Sequence, residues 1–176
     1  MLKNVVVEGG TSQITPTTIR WSPPHSNHIK INFDGSVQGR AVAGGFVFRD
    51  NEGMVLLAAA NSFGNATIPT AEATALRDSR VEAKDQGFSN IQVESDSKLV
   101  IDAINGRIST PWRLLKIIQD IRMIAMSFTS ISFKYIFREA NFVADANIAH
   151  EGHLLPNGCT WMGAHWLLLE LFYLMM

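Results

Sequence analysis

The chain has 176 residues, of which 47% are hydrophobic and 18% are charged, and its formal net charge is −1 at pH 7. This length and composition favour one folded domain, and they exclude a protein that holds nucleic acid through bulk positive charge. The single cysteine, Cys159, excludes an internal disulfide and weakens any structural zinc site.

Residues 1–27 are rich in Thr, Ser, Pro and Gly, which is typical of a flexible leader or linker, and Trp21 is its candidate anchor. The apolar run Val5–Val7 is too short for a signal peptide, and Glu8–Gly10 breaks it. We therefore expect a soluble intracellular protein, and the sequence indicates no particular compartment.

Apolar and polar residues alternate over Ile29–Phe33, which predicts a half-buried strand. We expect this strand to end at Asp34 and Gly35, where the glycine permits a turn. Two more strands are predicted over Ala41–Arg49 and Met54–Ala60. Short turns between the three strands give an antiparallel meander, and the adjacent glycines inside the second strand indicate a bulge or a close backbone approach.

Strong helix formers follow from Ala71 to Gly87 and predict a helix. Thr70 is the expected N-cap and Gly87 the expected C-cap, so we expect Glu72 in the first helical turn. An acid at that position complements the helix dipole, which is a sufficient structural reason for its presence.

The rest of the chain alternates between strands and helices. The predicted elements are a strand over Ile91–Asp96, a short helix over Lys98–Asn105 capped by Ser97, a helix over Trp112–Met126, a strand over Ile131–Phe137 and a helix from about Phe142 to His150. Asp96 therefore ends a strand, at the kind of edge where open α/β sheets place ligand sites. The order of elements predicts an α/β domain.

Several short stretches give information beyond the periodicity of their apolar residues. They are Trp21–Pro24, Lys30–Ser36, Ala71–Ala73, Val93–Ser97 and Arg138–Asp145. In these stretches the sequence resembles the ribonuclease H fold family, and especially the plant ribonuclease H-like domains related to retrotransposon reverse transcriptases. The resemblance implies a mixed five-stranded sheet, with an antiparallel meander followed by parallel strands, flanked by helices.

The resemblance extends from about Trp21 to His150, so we expect a leader over 1–27, a ribonuclease H-like domain over 28–150 and an apolar tail over 151–176. The end of this tail, His165–Met176, is too short for a membrane span, and Glu170 interrupts it. Docking on the domain, binding to a membrane surface or to a partner, and an abnormal end of the gene model remain open for it.

The resemblance also implies a site. Asp34, Glu72, Asp96 and Asp145 fall on the family's four metal-binding carboxylates. They imply two Mg²⁺ ions bound with substrate, for which Mn²⁺ can substitute, and no small-molecule cofactor. The implied reaction is hydrolysis of the RNA strand of an RNA–DNA hybrid by a monomer. Backbone and polar groups near the acids are the expected substrate contacts: Gly35, Ser36, Thr70 and Asn141.

Two departures from the family keep an alternative open. No histidine occurs between Phe128 and Asp145, where many bacterial-type relatives carry one in a mobile loop. The basic handle helix of some relatives is also missing, because Gly106–Trp112 has the pattern of a loop. Each acid taken singly is more often a cap or turn residue. The alternatives are therefore a catalytically weak, retrotransposon-derived nucleic-acid-binding or interaction domain, and a fragment of a reverse transcriptase polyprotein.

Overall fold

The computed structural model describes residues 19–38, 41–147 and 159–163. Within these residues the strands are β1 (Ile29–Gln38), β2 (Ala41–Arg49), β3 (Val55–Gly64), β4 (Asn90–Ser95), β5 (Ser130–Tyr135) and β6 (Cys159–Gly163). The helices are α1 (Ile68–Asp85), α2 (Lys98–Ile104), α3 (Leu115–Ala125) and α4 (Arg138–Asn147), and a 3₁₀ turn, Trp112–Leu114, precedes α3. Most of the predicted leader and tail, including His165–Met176, lies outside the described residues.

The strands form one mixed sheet in the order β5-β4-β1-β2-β3-β6. As predicted, β1, β2 and β3 pair antiparallel, while β4 and β5 continue the sheet in parallel from β1. The predicted fold class is therefore confirmed. The sheet also has a sixth strand, β6, which pairs antiparallel with β3. The sequence did not predict β6, because Cys159–Gly163 does not alternate: the apolar residues Trp161 and Met162 are adjacent.

The prediction that the first strand ends at Asp34 and Gly35 is wrong. β1 continues to Gln38, and Asp34 and Gly35 pair with Gly45 and Gly44 of β2. The ladder to β2 keeps the backbone extended through Gly35, so Asp34 lies inside the strand rather than at its end.

Alternation along β1 divides the sheet into two faces. On the first, which we call the apolar face, Ile31 and Phe33 are fully buried beneath α1. This face continues into the main hydrophobic core, which includes Phe46, Phe48, Leu76, Ile91, Val93, Ile101, Ile118 and Ile121. On the second, which we call the polar face, Lys30, Asn32 and Asp34 are buried on the side where α4 packs.

The N-terminus of α1 differs from the prediction. Its N-cap is Thr67 rather than Thr70, because the Thr67 side chain accepts a hydrogen bond from the Thr70 N–H and Pro69 occupies the first turn. Glu72 therefore lies in the second turn, not in the first as expected. At the other end, Gly87 has a φ of 76° just after the C-cap, which agrees with its expected role in ending the helix.

The last helix begins earlier than predicted, at Arg138 rather than at about Phe142. Only Ile136 and Phe137 connect β5 to α4. The described helices include none that is both long enough and apolar enough to cross a membrane.

Candidate active site

Two glycines allow α1 to lie close against the sheet. Gly35 of β1 and Gly44 of β2 are direct partners across the strand pair. A Cβ atom at Gly35 would lie 2.8 Å from Cγ of Glu72, and a Cβ atom at Gly44 would lie 2.8 Å from the carbonyl oxygen of Ala71. Real Cβ atoms do not approach other atoms so closely, so glycine is required at both positions. The close approach places Glu72 against the residue that follows Asp34.

Asp34 lies where β1 continues beyond its parallel pairing with β4, which ends at Asn32. The residue is on the polar face and is only 6% exposed. Its Oδ1 accepts a hydrogen bond of 2.7 Å from the Gly35 N–H. This bond fixes the carboxylate against its own strand, beside the contact between Gly35 and α1.

Glu72 is held by Ser97, the residue that precedes α2. The Ser97 hydroxyl donates a hydrogen bond of 2.6 Å to Oε2 of Glu72 and makes no capping bond to α2. Burial raises the pKa of Glu72 to about 7, while the Ser97 hydrogen bond lowers it and the Asp96 carboxylate raises it. Burial and the nearby Asp96 carboxylate thus both disfavour the charged form of Glu72.

Asn141 ties α4 to the site and is fully buried. Its Nδ2 donates to Oδ1 of Asp96 at 2.8 Å and to the carbonyl oxygen of Phe33 at 3.0 Å. Its Oδ1 accepts a hydrogen bond of 3.2 Å from Nδ2 of Asn32. Asn141 thus joins α4 to β1 and to the end of β4, and its expected contact with substrate stays a prediction.

Asp145, the fourth expected metal ligand, lies in α4 one turn after Asn141. Its side chain is outside the part of the chain that the structure describes. Of the four acids, the structure brings Glu72 and Asp96 together and places Asp34 in the strand against which Glu72 packs.

The other expected substrate contacts lie near these acids. Ser36 is half-buried in β1 and pairs with Ala43. Thr70 lies in the first turn of α1, with its hydroxyl oxygen 2.8 Å from that of Thr67. The roles of Gly35, Ser36 and Thr70 in binding substrate stay predictions.

The carboxylates have the chemistry of a divalent-metal site. Mg²⁺ prefers oxygen ligands. A bound cation would offset the cost of keeping the buried Glu72 carboxylate charged, and it would reduce the repulsion between Glu72 and Asp96. Among the described side chains, no three of His, Cys, Asp and Glu already form a group that could hold a metal ion. The fit to a divalent metal therefore rests on the donor chemistry of the acids.

Sequence analysis missed two residues of this site. Ser97 was expected only to cap a helix, although its hydroxyl holds Glu72. Asn32 lies in a strand of alternating polarity, where a polar residue is expected on the exposed side, yet it is fully buried. Its position two residues before Asp34, on the same side of the strand, is the only signal that could have identified it.

Comparison with known proteins identifies the family. Residues 32–151 match the family model described as reverse transcriptase-like. Ribonuclease HI of Halobacterium salinarum is 30% identical over 146 residues, which cover 81% of this chain and 72% of that protein. This match extends well beyond the four acids, over most of both proteins.

Solved structures agree with the sequence match. The crystal structure of RNase H1 from Halobacterium salinarum has a TM-score of 0.64 and 28% identity, covering 68% of this chain and 93% of that chain. LC11-RNase H1, isolated from compost and crystallised in complex with an RNA/DNA hybrid, has a TM-score of 0.59 and 25% identity, covering 68% of this chain and 92% of that chain. The chain therefore belongs to the reverse transcriptase-like family and has a ribonuclease H-like domain.

Proposed function

We propose that this protein is a ribonuclease H, an endonuclease that hydrolyses the RNA strand of an RNA–DNA hybrid. The observation that carries this proposal is the approach of Glu72 and Asp96, each held by its own hydrogen-bond donor, next to the strand that carries Asp34. The choice of substrate is supported by the similar LC11-RNase H1, which was crystallised with an RNA/DNA hybrid.

Asp34, Glu72, Asp96 and Asp145 would hold two Mg²⁺ ions, or Mn²⁺ in their place. Divalent metal supplies Lewis-acid stabilisation of the charge that develops during phosphodiester hydrolysis. The protein contributes the orientation of the acids. The Gly35 N–H orients Asp34, the Ser97 hydroxyl orients Glu72 and the Asn141 amide orients Asp96.

Selection of RNA must come from groups beside the acids, because carboxylates and metal alone would attack any phosphodiester. The 2′-hydroxyl distinguishes RNA from DNA, and A-like duplexes display it across a wide minor groove. We assign this contact to the backbone at Gly35 and to the hydroxyls of Ser36 and Thr70. Asn141 is fully buried with both ends of its amide engaged, so it would contribute by orienting Asp96. Because phosphates also contribute, binding of the hybrid should weaken as salt is added.

A second candidate is a catalytically weak nucleic-acid-binding or interaction domain derived from a retrotransposon. Two observations favour it. Only Ile136 and Phe137 connect β5 to α4, so no histidine-bearing loop occurs there. In addition, Lys98 and Arg107 both pair with Asp102, at 2.6 Å and 3.3 Å, which leaves less positive charge to hold a hybrid and so favours the interaction domain.

Further features remain proposals of the same kind. They are a monomeric state, an origin in a plant retrotransposon and a folded unit that spans 28–150. Trp21 contacts β1 and β2 from ahead of that unit, and β6 contacts β3 from behind it. Truncations at these two boundaries would measure what each contributes.

The test is cleavage of a labelled RNA–DNA hybrid by the purified full chain with Mg²⁺ or Mn²⁺. Asp34→Asn is the matched variant, because it keeps the shape of the side chain and removes its charge. We expect cleavage of the RNA strand, little cleavage of double-stranded DNA and loss of activity in the variant. Hybrid binding without cleavage would instead support the second candidate. Equal cleavage of both duplexes, abolished by Asp34→Asn, would keep a nuclease and reject the ribonuclease H assignment.

A further inference from the structure

The segment ahead of β1 lies on the polar face of the sheet and is anchored there by Trp21. The indole N–H of Trp21 donates a hydrogen bond of 3.0 Å to Oδ1 of Asn32. The guanidinium of Arg49 stacks on the indole, with Cζ 3.8 Å from the ring centroid. Arg49 also donates from Nη2 to the same Oδ1, at 2.7 Å. Both neighbours of this oxygen are therefore donors.

These two donors fix the orientation of Asn32. Neither an indole nor a guanidinium can accept a hydrogen bond, so the Asn32 oxygen must face them. If the amide turned over, its NH₂ group would face two donors inside the protein, where Asn32 is fully buried. The Asn32 nitrogen is therefore directed towards α4.

The orientation of the Asn141 amide is fixed in the same way. Its oxygen must accept the hydrogen bond from Asn32, which directs its NH₂ group to the carbonyl oxygen of Phe33 and to Oδ1 of Asp96. Both asparagines are fully buried, so water does not compete for these groups. The network from Trp21 and Arg49 to Asp96 thus has only one consistent direction of donation.

We propose that Trp21 and Arg49 are positioning residues, which orient the Asp96 carboxylate through Asn32 and Asn141. This inference rests on the proposed function, since Asp96 matters only if the acids act in hydrolysis. It assigns a role to Trp21, which lies ahead of residues 32–151 matched by the family model. Trp21 is then a positioning residue of the site, and not only part of a linker.

Asn32→Asp tests the direction of the network. An aspartate at this position still accepts from Trp21 and Arg49, and Arg49 balances its charge, but it has no donor for Asn141. The Asn141 oxygen then faces a carboxylate instead of a donor, so the amide should be displaced and its hydrogen bond to Asp96 should weaken. We expect kcat for hybrid cleavage to fall about 10- to 100-fold, the usual range for partners that orient a metal ligand, with KM within about twofold.

Asn51→Asp is the matched control, because it adds the same charge in the exposed turn between β2 and β3. It should leave kcat and KM unchanged. Trp21→Phe is the second variant, since it keeps a ring for Arg49 to stack on and removes one donor. Because Arg49 still donates to Asn32, we expect a smaller loss of kcat in the same direction.

The ¹H and ¹⁵N NMR signals of the Asn141 side-chain amide, measured in the metal-free full chain, supply a readout besides activity. We expect them to shift in Asn32→Asp and, less, in Trp21→Phe, but not in Asn51→Asp. Unchanged signals together with unchanged kcat would overturn the proposal, as would a rise in KM alone. If the wild-type protein does not cleave hybrid, the proposed function fails, while the NMR comparison still decides whether the network orients Asn141.

Discussion

The two faces of the sheet are built by different interactions. The apolar face buries branched and aromatic side chains such as Ile31 and Phe33 beneath α1. The polar face buries Lys30, Asn32 and Asp34, and it joins them to partners through hydrogen bonds and an ion pair. Residues that are neighbours in one strand thus enter two different environments.

The apolar face therefore mainly stabilises the fold, whereas the polar face mainly positions side chains. Burial of apolar area is non-directional, so a core tolerates exchanges of similar volume. A buried hydrogen-bond network fixes the angles of its members, because every donor must find an acceptor. The polar face therefore suits a site whose carboxylates need defined orientations, and the apolar face supports it through the close approach of α1.

The largest effect should come from breaking the buried ion pair on the polar face. Lys30 is 2% exposed, and its Nζ lies 2.8 Å from Oε1 of Glu94 and 2.6 Å from the carbonyl oxygen of Ser22. Lys30→Met would leave the Glu94 charge buried without its partner. We expect the free energy of unfolding, measured with chemical denaturant, to fall by about 3–5 kcal/mol.

The double variant Lys30→Met/Glu94→Leu is the control. It removes both charges and fills the space with apolar atoms, so most of the lost stability should return. If the double variant is as unstable as Lys30→Met, the loss comes from packing or from the contact with Ser22, and not from an unpaired charge. Packing, rather than the pairing of charges, would then account for the stability of the polar face, as it does for the apolar face.

The fold was largely predictable from sequence, because alternation and helix formers are local signals. The meander and the order of the later strands and helices follow from such patterns, whereas the parallel pairing of the last two strands was implied by the resemblance. The path of β1 beyond Asp34 was not predictable, since it depends on pairing with β2. The N-cap of α1 is Thr67 rather than the predicted Thr70, because Pro69 is compatible with the first turn of a helix and extends it towards the N-terminus.

The site was less predictable than the fold. The resemblance selected the four acids, but no local pattern shows that Ser97 holds Glu72 or that Asn32 holds Asn141. The two residues of each pair are far apart in the sequence, and their contacts exist only once the sheet and helices have packed. Polar residues in a strand are also normally assigned to the exposed side, which hid the buried network of the polar face.

The second prediction concerns Glu72, where the apolar face meets the acids. Its pKa is raised from 4.5 to about 7, first of all by burial. The folded state therefore binds this proton more tightly than the unfolded state, so its stabilising contribution is complete below pH 4.5 and is lost as the pH rises through 7. In the metal-free protein, Glu72→Gln should become the more stable form over this range, by about 3 kcal/mol at most.

Thermal melting in chelator at several pH values measures this difference. Glutamine can still accept the hydrogen bond from Ser97, so the variant isolates the charge. Added Mg²⁺ should raise the melting temperature of the wild-type protein and have much less effect on Glu72→Gln. A wild-type melting temperature that does not respond to millimolar Mg²⁺ would argue against a metal site at these acids.

Arg80 of α1 is an exception to the comparison on the apolar side of the sheet. It is fully buried, with Cζ 4.8 Å from the ring centroid of Phe133, and its Nη2 donates to the carbonyl oxygen of Ile121. Its Nε and Nη1 have no hydrogen-bond partner among the described residues. Burial lowers the pKa of Arg80 to about 9. A charge is therefore held in the core without the full set of partners that the polar face provides.

Arg80→Met should consequently stabilise the protein, by about 1–4 kcal/mol near neutral pH, because methionine fills similar space without a charge or unpaired donors. The folded-state pKa lies below the ordinary value of 12.5, so the penalty is complete below pH 9 and decreases as the pH rises above it. The advantage of Arg80→Met over the wild-type protein should therefore shrink above pH 9 in denaturant unfolding.

Arg77→Met, on the partly exposed side of the same helix, is the matched control and should change stability little. A loss of stability in Arg80→Met would show that the arginine supports the apolar face through its contacts with Ile121 and Phe133, and that the two faces differ less than their compositions indicate.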